Sequence, residues 1–343
     1  MTQEYSLGLQ TQLPAGFVLE TGYSGARGLH LIQEGSVNQA QLASAANPIR
    51  GQTTNTLANI GLRVPYQGWD PALMQQIESA GSSWYNALLV GLNKRFSHGL
   101  TSQISYTFSR DLSTNANSTS GPNGGSSYGD QDNPKQRYGP DSFIREHRFI
   151  ANFAYQLPGP KNTRSALGET IGGWMVAGVA TIQSGRPLTL TYNHSAGKPS
   201  VFGTAFLDRP SLSGKCTPSQ YVNPGSVASN IGGSKTYINT SCFNDPAVFS
   251  ADDPVGVGFG NAGVGILNGP GQQNYDLSLI KRFPMSWPRE GTALEFRTEF
   301  FNAFNHPQFD DPDVEFTSKS TFGQISRTIV NPRVVQFALK LSF

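Results

Sequence analysis

The 343-residue sequence contains no apolar run approaching the ~20 residues that a membrane-spanning helix needs, so a helical membrane protein is excluded. Charge is scarce: only 14% of residues are charged and the formal net charge is +2, which argues against nucleic acid as the main partner. Apolar residues are also few, at 37% against a usual share of roughly 45–50%. The polar surplus is therefore uncharged. With 38 glycines and 22 prolines, turns and loops are abundant. There are two cysteines, Cys216 and Cys242, and no His or Cys cluster beside them, which speaks against a structural zinc site. The opening residues Met1 to Leu7 lack the basic start and apolar core of a secretion signal. A mean hydropathy of −0.33 completes the picture, although averaging hides a strand whose apolar and polar residues alternate.

Such alternation is what the sequence has. In its last residues Val335, Phe337, Leu339, Leu341 and Phe343 fall on one parity, and Val334, Gln336, Ala338, Lys340 and Ser342 on the other. Side chains alternate across a strand, so one face is wholly apolar. A bare terminal Phe is a liability in water but not in lipid. This ending resembles the C-terminal aromatic strand that outer-membrane barrels present to their assembly machinery, with Phe337, Leu339, Leu341 and Phe343 as the signal. Eight further strands read the same way. The clearest sets Leu100, Ser102, Ile104, Tyr106 and Phe108 against Thr101, Gln103, Ser105, Thr107 and Ser109. Another places Leu294, Phe296, Thr298 and Phe300 opposite Glu295, Arg297 and Glu299.

Connections after strands one, three, five and seven are short; those after two, four, six and eight are long, at about 25–83, 110–144, 185–273 and 306–332. Transmembrane barrels have short periplasmic turns and long extracellular loops, and aromatic girdles near strand ends. The expected fold is all-β: an antiparallel transmembrane β-barrel in the outer membrane. Complete bacterial barrels have an even strand number with no edge left open to lipid. Nine is odd, so the expectation is the C-terminal portion of a larger barrel, occupying residues 1–343. A soluble sheet acting as a cell-surface binding or adhesion protein through its loops is the alternative.

Several stretches then resemble the Oar-like TonB-dependent transporters: Ser83–Leu88, Lys94–Leu100, Tyr106–Ser109, Arg145–Phe149, Ser184–Pro187, Gly269–Gly271, Arg297–Asn305 and Asn331–Arg333. The resemblance runs in order from about residue 17 to the end. It implies a barrel of about 22 strands, a plug in the lumen, and a TonB box that couples the plug to an inner-membrane motor. Neither plug nor TonB box is recognisable here. The implied partners are outer-membrane lipid, the barrel assembly machinery and an unknown ligand, with the TonB complex reached only through those missing N-terminal parts. The chain by itself is then not competent for transport.

Sites of chemistry are sparse. Glu295, Arg297 and Glu299 share a face at two-residue spacing and are expected to line the lumen. Same-face strand residues about 7 Å apart do not exclude paired-carboxylate chemistry, but a charged strand face backed by phenylalanines is the simpler account, so no enzyme is expected. His147 lacks metal partners at fixed spacing. Asp130, Asp132, Asp141, Asp252 and Asp253 follow no Ca²⁺-loop pattern. Gly256, Gly258, Gly260 and Gly263 lack the strand-turn-helix context of a dinucleotide site. No cofactor and no metal is expected. In an oxidising compartment Cys216 and Cys242 would pair, stabilising their loop by roughly 3–4 kcal/mol; two unpaired thiols are the alternative.

Overall fold

A computed structural model describes residues 1–71, 74–114, 129–159, 166–193, 202–203, 208–231, 235–246, 258–285 and 287–343. Nine long strands dominate: β1 (Thr2–Leu13), β2 (Phe17–Ser36), β3 (Gln75–Ser97), β4 (Leu100–Ser113), β5 (His147–Gln156), β6 (Trp174–Gln183), β7 (Gln272–Pro284), β8 (Ala293–Phe301) and β9 (Val334–Ser342). They form one sheet in chain order, and every neighbouring pair is antiparallel. A two-residue strand, Gly139–Pro140, adds to the end of β4. β1 and β9 are the edges, and among the described residues they do not pair with each other.

The short connections are set by local chemistry. His98 and Gly99 take φ of 52° and 79° between β3 and β4, the left-handed pair that a tight hairpin demands. Glycine is required at the second position for a further reason. A Cβ on Gly99 would meet the Gln156 carbonyl oxygen at 2.7 Å. Between β1 and β2, Ala15 and Gly16 adopt φ of 59° and 78° after Pro14.

Register carries the alternation across the whole sheet. Residues directly opposite one another share a face. One row runs through all nine strands as Leu13, Phe17, Lys94, Ser102, Phe153, Gly178, Leu277, Phe300 and Val335. Its neighbour one residue away carries Gln12, Val18, Asn93, Gln103, Asn152, Val179 and Asp276 on the other side. The first face is thus mostly apolar and the second mostly polar. On the first, Phe296 stacks against Phe337 at 6.3 Å, and Leu7, Leu9, Phe337 and Leu339 are each about two-thirds exposed, at 66–68%. In water that exposure would be severely unfavourable.

Aromatic residues bound this face at both ends. Tyr23, Trp84, Phe108 and His147 stand at the long-loop end, Phe17, Phe96, Trp174 and Phe283 at the short-turn end. Residues 17 and 27 of β2 are about ten residues apart, which at a rise of about 3.4 Å and a tilt of about 40° spans roughly 26 Å. That height matches the ~25 Å apolar band of a barrel in a bilayer.

The loops differ from expectation in their bounds and in their packing. Residues 25–83 are not one loop: β2 stays paired with β3 as far as Ser36 and Gln75, through register shifts at Leu29/Leu31 and Leu31/Gln33. Beyond the apolar band a hairpin needs only backbone pairing, so its side chains there no longer alternate. The stretch from 185 to 273 is irregular in secondary structure until Gln272, with only two-residue strands and short 3-10 turns among its described residues, but it is packed. Leu188, Leu190, Tyr192, Tyr221, Tyr237, Ile238 and Phe243 from it pack with Phe316, Phe322 and Ile325 of the last loop into a buried apolar core. β4 likewise extends to Ser113, and the last loop runs from 302 to 333.

Phe300 lies between the girdles on the apolar face, so Phe300→Arg should cost roughly 2–4 kcal/mol in a bilayer. Gln336→Lys, on the polar face opposite Glu299, should be neutral or stabilising. Urea unfolding in lipid vesicles measures both; similar penalties would mean the faces are assigned the wrong way round.

Candidate functional site

The four long connections all leave the same end of the sheet and are knitted together there. Gln39 of the first donates from Nε2 to the Gly129 carbonyl at 3.0 Å and accepts from the Gln131 amide at 2.9 Å, joining it to the second. The Ala40 amide donates to the Phe202 carbonyl at 3.0 Å, which joins it to the third. Arg209 of the third loop is buried and donates to the Gln136 carbonyl of the second at 2.6 Å. Third and fourth are joined by the Arg186–Asp311 ion pair, by Phe316 N–H to Thr191 O at 2.8 Å and by Tyr237 N–H to Gly323 O at 2.6 Å. The result is a folded cap.

Inside the cap, several polar groups that would be costly to bury alone are held by hydrogen bonds. Arg63 is fully buried. It donates from Nε to Asn59 Oδ1 at 2.8 Å and to the Gln41 carbonyl at 2.5 Å, and burial pulls its pKa down to about 10. Asp208 accepts from the amides of Arg209 and Gly260, at 2.7 and 3.2 Å. A Cβ at Gly260 would collide with the Arg209 carbonyl, so this glycine serves close backbone packing, not dinucleotide binding. Cys216 and Cys242 form a disulfide with Cα atoms 5.4 Å apart, and Cys242 is part of the apolar core.

One hollow lies in the cap and another against the sheet. The first, of about 430 Å³, is lined by Gln39, Gln41, Asn47, Asp130, Asp132 and Phe259. Its amides and carboxylates suit a polar, hydroxyl- or amine-bearing guest. Burial raises the pKa of Asp130. The other, of about 530 Å³, sits over Gly8, Gly22 and Gly91, with Gln10, Glu20, Ser105 and Thr107 beside them. Those glycines and polar residues lie on the polar face, and the missing side chains leave the depression.

On β8, Arg297 bridges its same-face neighbours, with Glu295 at 2.8 Å and Glu299 at 3.5 Å. Arg282 and Lys340 stand directly opposite Glu295 on the adjoining strands. The three residues form a charge-neutralised stretch of wall rather than two free carboxylates. Phe337, Leu339 and Leu341 lie on the apolar face of the edge strand β9, and Phe343 follows it, 76% exposed. His147 hydrogen-bonds the Tyr106 hydroxyl at 2.9 Å and packs on Phe108 at 5.1 Å. Asp252, Asp253 and Gly256 lie outside the described residues. Among the described residues no group of three His, Cys, Asp or Glu side chains converges on a metal-sized site. Sequence reasoning missed Gln39, Arg63, Asp208 and Arg209, which hold the cap together. No spacing marks them, because each acts through loop backbone.

A family model described as outer membrane beta barrel domain matches residues 1–336. No curated protein matches the chain in sequence. Among solved structures, the outer membrane transporter YddB from Escherichia coli is similar at 10% identity with a TM-score of 0.42, over 99% of this chain and 32% of that one. The chain thus spans about a third of the length of that transporter.

Two outcomes test the cap. Replacing both cysteines with serine should lower its stability by roughly 3–4 kcal/mol and open residues 208–246 to protease, while the sheet's signature in circular dichroism persists. Tyr237 has its pKa pushed up to about 12 by burial and by the charge of Asp311. The stability conferred by neutral Tyr237 should therefore be complete below its ordinary value of 10.0 and vanish as pH rises through about 12. In an alkaline titration followed by tyrosinate absorbance, Tyr237→Phe should remove a late-titrating step; an unchanged curve would contradict the assignment.

Proposed function

The chain belongs to the outer membrane beta barrel domain family, and from that premise we propose that it is the barrel portion of a TonB-dependent transporter of the Oar-like kind. Its cargo is a large organic ligand. The observation that carries this reading is the pairing of a continuous polar sheet face with a folded cap over one end, made from all four long loops. An adhesin needs a binding surface outside; a polar wall running the height of the membrane is useful to a protein that passes something along it. Among the described residues β1 and β9 end the sheet without pairing to each other, and an unpaired strand edge costs several kcal/mol per group in hydrocarbon. The reading therefore includes further strands that complete the barrel, a plug against the polar face, and coupling to TonB through that plug. It assigns the chain no catalytic role: Glu295 and Glu299 are held by Arg297, and in the cap Asp130, Asp141, Asp208 and Asp313 accept from loop amides.

Uptake is the test. Cells with and without the gene are grown in a complex extract, with and without a protonophore, and depletion of individual compounds is followed by mass spectrometry. Gene-dependent loss of a large compound that stops with the protonophore is the expected outcome. Gene-dependent binding that ignores the protonophore favours a surface receptor or adhesin instead.

A further inference from the structure

The apolar face is not free of charge, and below the register shifts of β2 and β3 its charges are all of one sign. By register its regular rows, which on β2 and β3 end at the Leu29–Ser82 pair, carry four cations, Arg27, Lys94, Arg110 and Lys281, and among the described residues no carboxylate; Glu34 and Glu78 belong to the β2–β3 extension beyond the register shifts. Glu4, Glu20, Asp111, Asp276, Glu295 and Glu299 all occupy the opposite parity. A face turned to hydrocarbon carries cations only where something offsets the cost of desolvation.

At the short-turn end the protein itself does so. Lys94 donates to the Ala15 carbonyl at 2.7 Å and to Ser97 Oγ at 2.9 Å, and lies 4.6 Å from the Phe17 ring centroid. Lys281 donates to the carbonyls of Gly172 and Thr170, with the rings of Trp174 and Phe283 at 5.3 and 5.1 Å. Both lysines are buried. They curl back onto turn carbonyls and aromatic rings.

The long-loop end differs. Arg27 and Arg110 are both exposed. Arg27 faces Trp84 across the β2–β3 pair and Arg110 faces Asn86 across the β3–β4 pair, so the two guanidinium groups flank one stretch of β3. From strand spacing and rise their Cα atoms stand roughly 12 Å apart. Arg27 lies over the Trp84 ring at 5.0 Å, and a guanidinium stacked on an aromatic face can still donate from its edge. Beside them Tyr23 donates to Asn86 Oδ1 at 2.5 Å. With the long loops outside, this end is level with the headgroups of the outer leaflet.

We propose that Arg27 and Arg110, with Trp84 between them, form a docking site for a phosphorylated glycolipid of the outer leaflet. Guanidinium forks match phosphate oxygens, and Trp84 offers an apolar platform beside a sugar-bearing headgroup. The occupant is chosen by charge: two exposed cations with no carboxylate in the regular rows of their face call for an anion, and the one fixed at this depth is a lipid phosphate. The proposal depends on the orientation with loops outside, not on any cargo, so failure of the uptake experiment leaves it standing.

The full chain, purified in detergent, is incubated with lipid A bearing two, one or no phosphates, and retained lipid is measured by mass spectrometry. Retention should fall with each phosphate removed. It should fall roughly ten- to thirty-fold in Arg27→Gln/Arg110→Gln and recover in part in Arg27→Lys/Arg110→Lys. Inorganic phosphate at millimolar concentration should not displace the lipid. Equal retention of phosphate-free lipid A overturns the proposal without recourse to any variant. Undiminished retention by the glutamine pair, or displacement by inorganic phosphate alone, overturns it as well.

Discussion

Inside a bilayer there is no water to satisfy a backbone N–H or C=O group, and each unpaired one costs several kcal/mol. This constraint governs the sheet. Strands must pair along the whole height of the apolar band, so turns can fall only at its two ends. Pairing in turn locks register. A slip of one residue between β7 and β8 would swing Glu295, Arg297 and Glu299 to the face that carries Leu277, Leu279 and Phe337. The alternation in each strand is weak evidence taken singly. Nine strands held in one register add it into two unlike surfaces.

That is why the sheet was legible in the sequence. Tyr106 and Phe108 against Thr107 and Ser109 already state which side meets lipid, and the short hairpin at His98–Gly99 states which strand comes next. Loop-length parity then gave the two ends. Legibility stopped where the bilayer stops. From Gly28 to Ser36 the strand goes on, yet Leu29, His30 and Leu31 pass through register shifts with His30 at a φ of 56°. Nothing there demands a period of two. The extension was hidden because only its backbone is constrained.

The cap was hidden for a different reason. Its apolar residues are scattered in sequence: Leu190, Tyr221, Ile238 and Phe322 belong to one core yet sit in no common period. What assembles them is long-range polar contact, such as Asp208 with Gly260 and Tyr237 with Gly323. A short polar side chain reaching a backbone amide fifty residues away leaves no local trace. The cysteines were the exception. Two in one loop announce a pairing, and their bond lies against the core it helps to close.

The same constraint explains how the chain distributes charge. A cation at the edge of the hydrocarbon must find oxygen atoms. At the short-turn end the nearest are carbonyls of the turns, because a three-residue connection such as Pro14–Gly16 leaves its carbonyls within reach of Lys94. At the other end the connections rise into the cap and spend their polar groups on one another: Arg209 on Gln136, Gln39 on Gly129, Arg186 on Asp311. Folding the loops into a cap thus draws their oxygens away from the rim. Arg27 and Arg110 are left exposed at that end, Arg27 against the Trp84 ring, and in the proposal above a lipid phosphate completes their contacts.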